Sequence, residues 1–335
     1  IDALAKLGQH LQQPSAELNE LIESAKHYNG WFVPQSMRQA VAGIAAMLNP
    51  VDLTYWFGSQ LPQSEINTHQ AKKVGLILAG NIPAVGFHDI LCVLVAGHKA
   101  LIKASSQDTK LIPYILQKLI AIEPAFEEQI IYVDQLSNYD AIIATGSNNS
   151  SRYFDYYFKR VPHIIRKNRN SVAVLTGQET PEQLVQLGHD IFDYFGLGCR
   201  NVSKLYVPQG YDFRLFFESI ESFNWIAGAS KYNNNYDYNK SIFLVNRDAH
   251  LDNGFLLVKE SNELQSPLAT LYYESYQDIN SLKTKLEAIN ERIQCVVSGD
   301  SLQVADVQVP FGKSQSPKLW DYADGVDTMR FLLNI

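Results

Sequence analysis

Cysteine is scarce in this chain. Three occur in 335 residues, Cys92, Cys199 and Cys295, about a hundred positions apart and with no C-x-x-C pair. An odd number at this spacing excludes a disulfide framework and a zinc knuckle, and leads us to expect a reducing, cytoplasmic setting. Long apolar runs are lacking too. The run "ILCVLVAG" at 90–97 is far short of the roughly 20 residues that cross a bilayer, so no membrane span is expected. Positive charge is not in excess: 28 Lys plus Arg stand against 35 Asp plus Glu, a net charge of -7. That excludes a general attraction to nucleic acid or anionic lipid, and any anion has to be bound locally. H-E-x-x-H, paired Cys/His spacing, an acidic calcium loop and the serine-hydrolase G-x-S-x-G are all missing, so no metal is expected.

With 46% hydrophobic and 19% charged residues and no low-complexity tract, the composition is that of a globular protein with ample core. The length suits two domains, or one large α/β unit with an inserted second lobe. Helical spacing runs through the first fifty residues at Leu4, Leu7 and Leu11, then Leu18, Leu21 and Ile22, then Met37, Val41, Ile44 and Met47. From Val74 short β-branched runs alternate with longer helical ones: "VGLIL" at 74–78, "KALIKA" at 99–104, "IIYVD" at 130–134, "AIIAT" at 141–145 and "SVAVL" at 171–175. Such alternation predicts parallel strands with helical crossovers. After a helix around 180–195, strand-like runs resume at "SKLYVP", "SIFLVN", "FLLVKE", "LATLYYESY" and "IQCVVSGD", while "KYNNNYDYN" at 231–239 reads as a polar, aromatic loop. A second α/β lobe is expected to begin near residue 178.

Cys199 stands apart from the other two cysteines. It is flanked by Gly196, Gly198 and Arg200 within "DYFGLGCRNVSKLYVP", whereas Cys92 and Cys295 lie inside apolar runs. A sulfur beside exposed backbone and charge suits a nucleophile better than core filling. His88 and Asp89 are adjacent, and neighbours on a helix point in different directions, so they are not read as a catalytic pair. The stretch at 78–109 follows a strand, breaks at Gly80-Asn81-Ile82-Pro83 and ends a second strand in Lys103. Strand ends of an open parallel sheet bind nucleotides, although neither G-x-G-x-x-G nor a phosphate loop is present.

Taken in order, Gly80-Asn81-Ile82-Pro83, "AGHKALIKASS", "ATGS" at 144–147, Cys199 after "FGLG", "ELQSPL" at 263–268 and "PFGK" at 310–313 resemble the landmarks of the aldehyde dehydrogenase superfamily. Within it, the short length and the blocks "GNIPAVGFHDIL" and "FGLGCRNVSKLYVP" most resemble the LuxC-like acyl-CoA reductases, the fatty-acid reductase family. The resemblance covers about residues 74–313. It implies an α/β, aldehyde-dehydrogenase-like fold, with N-terminal helices and a Rossmann-type cofactor-binding domain at 1–177, a catalytic domain at 178–312 and a C-terminal segment at 313–335 that packs back.

By the same resemblance Cys199 is the nucleophile. The Asn81 amide and the Cys199 backbone N–H hold the oxyanion; Lys103 and Ser106 meet the adenosine ribose. Gly146 and Ser147 open a helix toward the cofactor pyrophosphate, where unpaired N–H groups favour anions, and Glu263 binds the nicotinamide ribose. The implied activity is NAD(P)H-dependent reduction of a long-chain acyl-CoA, or another acyl thioester, to fatty aldehyde. An acyl-phosphate reductase of the same superfamily and a non-catalytic partner subunit remain the alternatives. NADPH is the expected cofactor, with NADH the alternative, because Lys103-Ala104-Ser105-Ser106 lacks the glutamate with which NAD-preferring relatives bond the ribose. A homodimer or an acyl-transferring partner protein is left open. Tyr153, Phe154, Tyr156, Tyr157 and Phe158 are candidates for a lipid channel, some of them for core.

One departure from the superfamily carries chemistry. Hydrolytic relatives have a glutamate base just before the strand equivalent to "SVAVL", yet residues 161–177, "VPHIIRKNRNSVAVLTG", contain neither Asp nor Glu. An acyl-enzyme formed here lacks its water-activating carboxylate, as suits acyl exchange with a thiol.

Overall fold

A computed structural model of the chain describes residues 1–60, 70–146, 148–167, 169–299, 302–305 and 307–335. The chain divides into two compact units, one of residues 1–168 with 317–335 and one of residues 169–316.

The first unit is built on a parallel sheet of β1 (Lys73–Ile77), β2 (Lys99–Lys103), β3 (Ile130–Tyr132), β4 (Ala141–Thr145) and β5 (His163–Arg166), in the order β3-β2-β1-β4-β5. Its central strands are buried through consecutive residues, Val74 to Leu76 in β1 and Ala141 to Ala144 in β4. That is why they read as unbroken apolar runs instead of alternating ones. The N-terminal helices Asp2–Gln12, Ala16–Ser24 and Pro34–Met47 bury Leu4, Leu7, Leu11, Leu18, Ile22, Met37 and Val41 in the same core.

The C-terminal residues 317–335 are stitched to this unit by hydrogen bonds. His88 Nε2 donates to the Leu319 carbonyl and His98 Nε2 to that of Leu332, each at 2.9 Å. Trp56 Nε1 donates to the Tyr322 hydroxyl at 2.8 Å. Buried Arg166 forks onto Asp89, with Nη2 to Oδ1 at 2.5 Å and Nε to Oδ2 at 3.1 Å, and also donates to the Ala323 carbonyl at 2.7 Å. His88 and Asp89 therefore bond to different partners.

The second unit is a sheet of β6 (Asn170–Val174), β7 (Val202–Pro208), β8 (Leu251–Asp252), β9 (Leu257–Glu260), β10 (Thr270–Tyr276), β11 (Ile293–Val297) and β12 (Gln308–Val309). Its order is β12-β11-β6-β7-β10-β9-β8, parallel except for the antiparallel edge pair β8 and β9. The run "SVAVL", grouped by sequence with the first lobe, pairs between β11 and β7, so this unit begins at residue 169. A doubly buried strand looks alike in either sheet, and the sequence offers no sign of which one receives it.

A second expectation is overturned as well. The "KYNNNYDYN" loop and the "SIFLVN" strand together form a single helix, Ser230–Asn246. Tyr232, Tyr236, Asn239 and Phe243 are its buried face. Their spacing follows the helical period, and packing of that stripe outweighs the poor helix propensity of Asn.

Candidate active site

Cys199 sits where a helix, a strained turn and a strand meet. Helix Pro181–Phe192 opens with a capping box, in which the Thr180 hydroxyl accepts from the Gln183 N–H at 3.3 Å and Gln183 Oε1 accepts from the Thr180 N–H at 2.9 Å. Beyond its end Tyr194, Phe195 and Gly196 are all left-handed, with φ of 53°, 59° and 75°. Each non-glycine residue in that region costs about 1–3 kcal/mol, which surrounding structure has to offset. Burial of both aromatic side chains supplies the offset, with Phe195 packed edge-on to Trp225 at 6.1 Å between ring centroids.

Gly198 to Asn201 then form a tight turn that carries Cys199 into β7. The Asn201 N–H donates to the Gly198 carbonyl at 3.0 Å, while Asn201 Oδ1 accepts from the Gly198 N–H at 2.8 Å. Buried Asn201 Nδ2 also donates to the carbonyls of Asp190 at 3.1 Å and Asp193 at 2.8 Å, capping the end of the preceding helix. On the other side, Ser171 of β6 donates from Oγ to the Cys199 carbonyl at 3.0 Å. The backbone around the sulfur is thus fixed before and after it.

Cys199 is exposed, and Cys92 and Cys295 are buried. Burial, ahead of the charge of Asp89, pushes the Cys92 thiol well above its ordinary range and holds it in the unreactive form. Cys295 Sγ lies 3.1 Å from Ser171 Oγ.

The loop that bears Glu263 comes to the same end of β7. Ser203 Oγ, one residue into that strand, donates to the Leu264 carbonyl at 2.8 Å, and Glu263 itself is exposed. Two serines on neighbouring strands, Ser171 and Ser203, therefore hold the Cys199 turn and the Glu263 loop. Asp190 ties in the "PFGK" segment through the N–H groups of Gly312 at 2.6 Å and Ser314 at 2.9 Å. Gly312 has φ of +78°, and a Cβ there would meet Gln186 Oε1 at 2.4 Å, so only glycine fits. Ser171, Ser203, Asp190 and Asn201 escaped sequence reasoning. Polar residues beside an apolar run look like solvated flanks until the fold buries them.

The first unit gathers its own set at the carboxyl ends of its interior strands. Ile77 at the end of β1 is level with Lys103 of β2 and Ala144 of β4, so the loops bearing Asn81, Ser106 and Gly146 leave side by side. Asn81 is half-buried, and Lys103 and Ser106 are exposed. Gly80 packs against the next loop so closely that a Cβ would stand 2.3 Å from Ser105 Oγ. Ala84, with φ of 55°, is held by its N–H to Asp108 Oδ2 at 2.7 Å. A helix spans Asn148–Phe158, and Ser147, between Gly146 and that helix in the sequence, lies outside the described residues. Tyr153, Tyr156 and Tyr157 of that helix are exposed.

The carboxyl end of an open parallel sheet, with loops on both sides of β1, one cation and hydroxyls, suits a dinucleotide in kind. Among the described residues no group of three or more His, Cys, Asp or Glu converges to hold a metal, and no helix is long and apolar enough to cross a membrane.

No protein-family model matches the sequence, and no curated protein does. Solved structures do match. Aldehyde dehydrogenase 21 of Physcomitrella patens, determined with its reaction product succinate, is 11% identical with a TM-score of 0.65, covering 99% of this chain and 83% of its own. The indole-3-acetaldehyde dehydrogenase AldA of P. syringae, a cysteine-to-alanine variant in complex with NAD+ and IAA, is 10% identical with a TM-score of 0.63, covering 88% and 70%. Proline utilization A of Bradyrhizobium japonicum is 14% identical with a TM-score of 0.61, covering 97% of this chain and 39% of that one. The first two of these neighbours are aldehyde dehydrogenases, and the fold is aldehyde-dehydrogenase-like, with a Rossmann-type unit and a second α/β unit.

Proposed function

We propose, with this fold as premise, that the protein is an NAD(P)H-dependent acyl-CoA reductase acting through an acyl-Cys199 thioester. The observation that carries the reading is the exposed Cys199 in a turn whose backbone is fixed by Asn201 and Ser171. A nucleophile held this way loses little freedom on meeting a carbonyl, and orientation of that kind contributes several kcal/mol to a rate.

The Cys199 thiolate attacks the thioester carbonyl, and the Cys199 N–H and the Asn81 amide hold the oxygen as it gains charge. Collapse breaks the bond to CoA sulfur, which departs as thiolate and takes a proton from solvent, leaving acyl-Cys199. A nicotinamide cofactor, when bound, supplies the hydride that reduces this acyl group. The same donors hold the second tetrahedral oxyanion, and Cys199 leaves with the C–S electron pair as aldehyde forms. Lys103 and Ser106 bind the cofactor's adenosine ribose, Gly146 and Ser147 its pyrophosphate, and Glu263 the nicotinamide ribose.

The test follows cofactor absorbance with acyl-CoAs of increasing chain length, alongside peptide mapping after acyl-CoA is added alone. Oxidation of NAD(P)H and acylation confined to Cys199 are expected. Absence of turnover with every acyl-CoA, or label on Cys92 or Cys295, contradicts the proposal.

A further inference from the structure

We infer that Asn201 is the positioning residue that aims the Cys199 backbone N–H at the oxyanion. The inference rests on Cys199 being an acyl-accepting nucleophile. One planar peptide carries both the Gly198 carbonyl and the Cys199 N–H, which point to opposite sides of it. Asn201 holds that carbonyl through its own N–H at 3.0 Å and grips the preceding N–H of Gly198 with Oδ1 at 2.8 Å. Gly198 is therefore clamped on both of its backbone polar groups by one residue, and the direction of the Cys199 N–H follows from the clamp.

The rest of the environment keeps the clamp still. Asn201 is 3% exposed, and its Nδ2 is anchored on the Asp190 and Asp193 carbonyls at 3.1 and 2.8 Å. Ser171 fixes the following peptide at the Cys199 carbonyl. Glycine at 198 has no side chain to brace its peptide, so the clamp is what restricts its backbone. The left-handed residues 194–196, of which Tyr194 and Phe195 are strained, fit the same account, because they deliver the chain from the helix end to within reach of a single short amide.

Two reactions at Cys199 separate aiming from folding. With p-nitrophenyl acetate the S–C bond forms, an oxyanion develops, and p-nitrophenolate leaves with the C–O electron pair while the thiol proton goes to solvent. With iodoacetamide the S–C bond forms as iodide leaves, and no oxyanion appears. For Asn201→Ala we expect acylation to fall at least about tenfold, since lost oxyanion donors cost on the order of a hundredfold or more, while alkylation stays within about threefold. Both variants keep the backbone half of the clamp, the residue 201 N–H to the Gly198 carbonyl; Asn201→Ser also offers a hydroxyl in place of Oδ1, is expected to give an intermediate ratio and carries the test if the alanine variant does not fold. Acylation and alkylation falling in parallel, or a ratio unchanged in either variant, overturns the inference. Wild-type protein that is alkylated at Cys199 and never acylated overturns the nucleophile reading instead, and the inference with it.

Discussion

Asp190 accepts the Gly312 N–H at 2.6 Å, joining the helix that leads to Cys199 with a glycine more than a hundred residues further along the chain. Its second oxygen takes the Ser314 N–H, and the carboxylate is 1% exposed. Two landmarks that are remote in sequence are thus one piece of structure.

The burial of Asp190 has a consequence for pH. Desolvation, only partly offset by the two N–H groups, raises its pKa to about 6. A folded value above the unfolded one of about 3.9 means that the stability this group contributes is complete below about pH 4 and is lost as pH rises through 6. In thermal unfolding from pH 4 to 7 the difference in melting temperature between wild type and Asp190→Asn is expected to move against wild type across that window. A difference that stays flat contradicts the assignment.

Arg166 and Asp89 form a buried ion pair in the first unit, with Arg166 4% and Asp89 8% exposed. Removing one partner leaves the other charge buried and unpaired, which costs about 3–5 kcal/mol. Arg166→Ala is expected to lose that much in denaturant unfolding, and the double variant Arg166→Ala, Asp89→Ala to recover part of it. A loss under about 1 kcal/mol in the single variant contradicts the pairing.

The strand-end segment Lys103-Ala104-Ser105-Ser106 bears on cofactor choice. Lys103 and Ser106 are exposed, and no carboxylate lies within the segment to repel a 2′-phosphate. NADPH is expected to give kcat/KM at least equal to NADH, and Ser106→Glu to shift that ratio toward NADH by about tenfold, the size of a lost charge-assisted contact. A strong wild-type preference for NADH contradicts this.

Legibility in the sequence followed burial. The runs at 74–78, 99–104, 130–134 and 141–145 all became strands of the first sheet, since consecutive apolar residues leave a short segment few other places to go. The short strand His163–Arg166 passed unnoticed because its burial alternates and two of its four residues are His and Arg. The helix Ser230–Asn246 was hidden by its asparagines. The exposure of Cys199, against the burial of Cys92 and Cys295, was legible from its neighbours, but the residues that fix its turn were not. Asn201, Ser171, Ser203 and Asp190 bond to backbone atoms, and which backbone a side chain meets is settled by the fold.

The proposed acyl transfer through Cys199, with no water-activating carboxylate in residues 161–177, is probed by product analysis in the reverse direction. A positioned general base is generally worth about 10²–10⁴-fold, and among the charged side chains of residues 161–177 only Arg166, Lys167 and Arg169 are present with His163. With a long-chain aldehyde and oxidised cofactor, rapid cofactor reduction is expected only when CoA is supplied, and chromatography is expected to find acyl-CoA in amounts matching the reduced cofactor. Rapid formation of free fatty acid in the absence of any thiol would contradict the account and mark the protein as a hydrolytic aldehyde dehydrogenase.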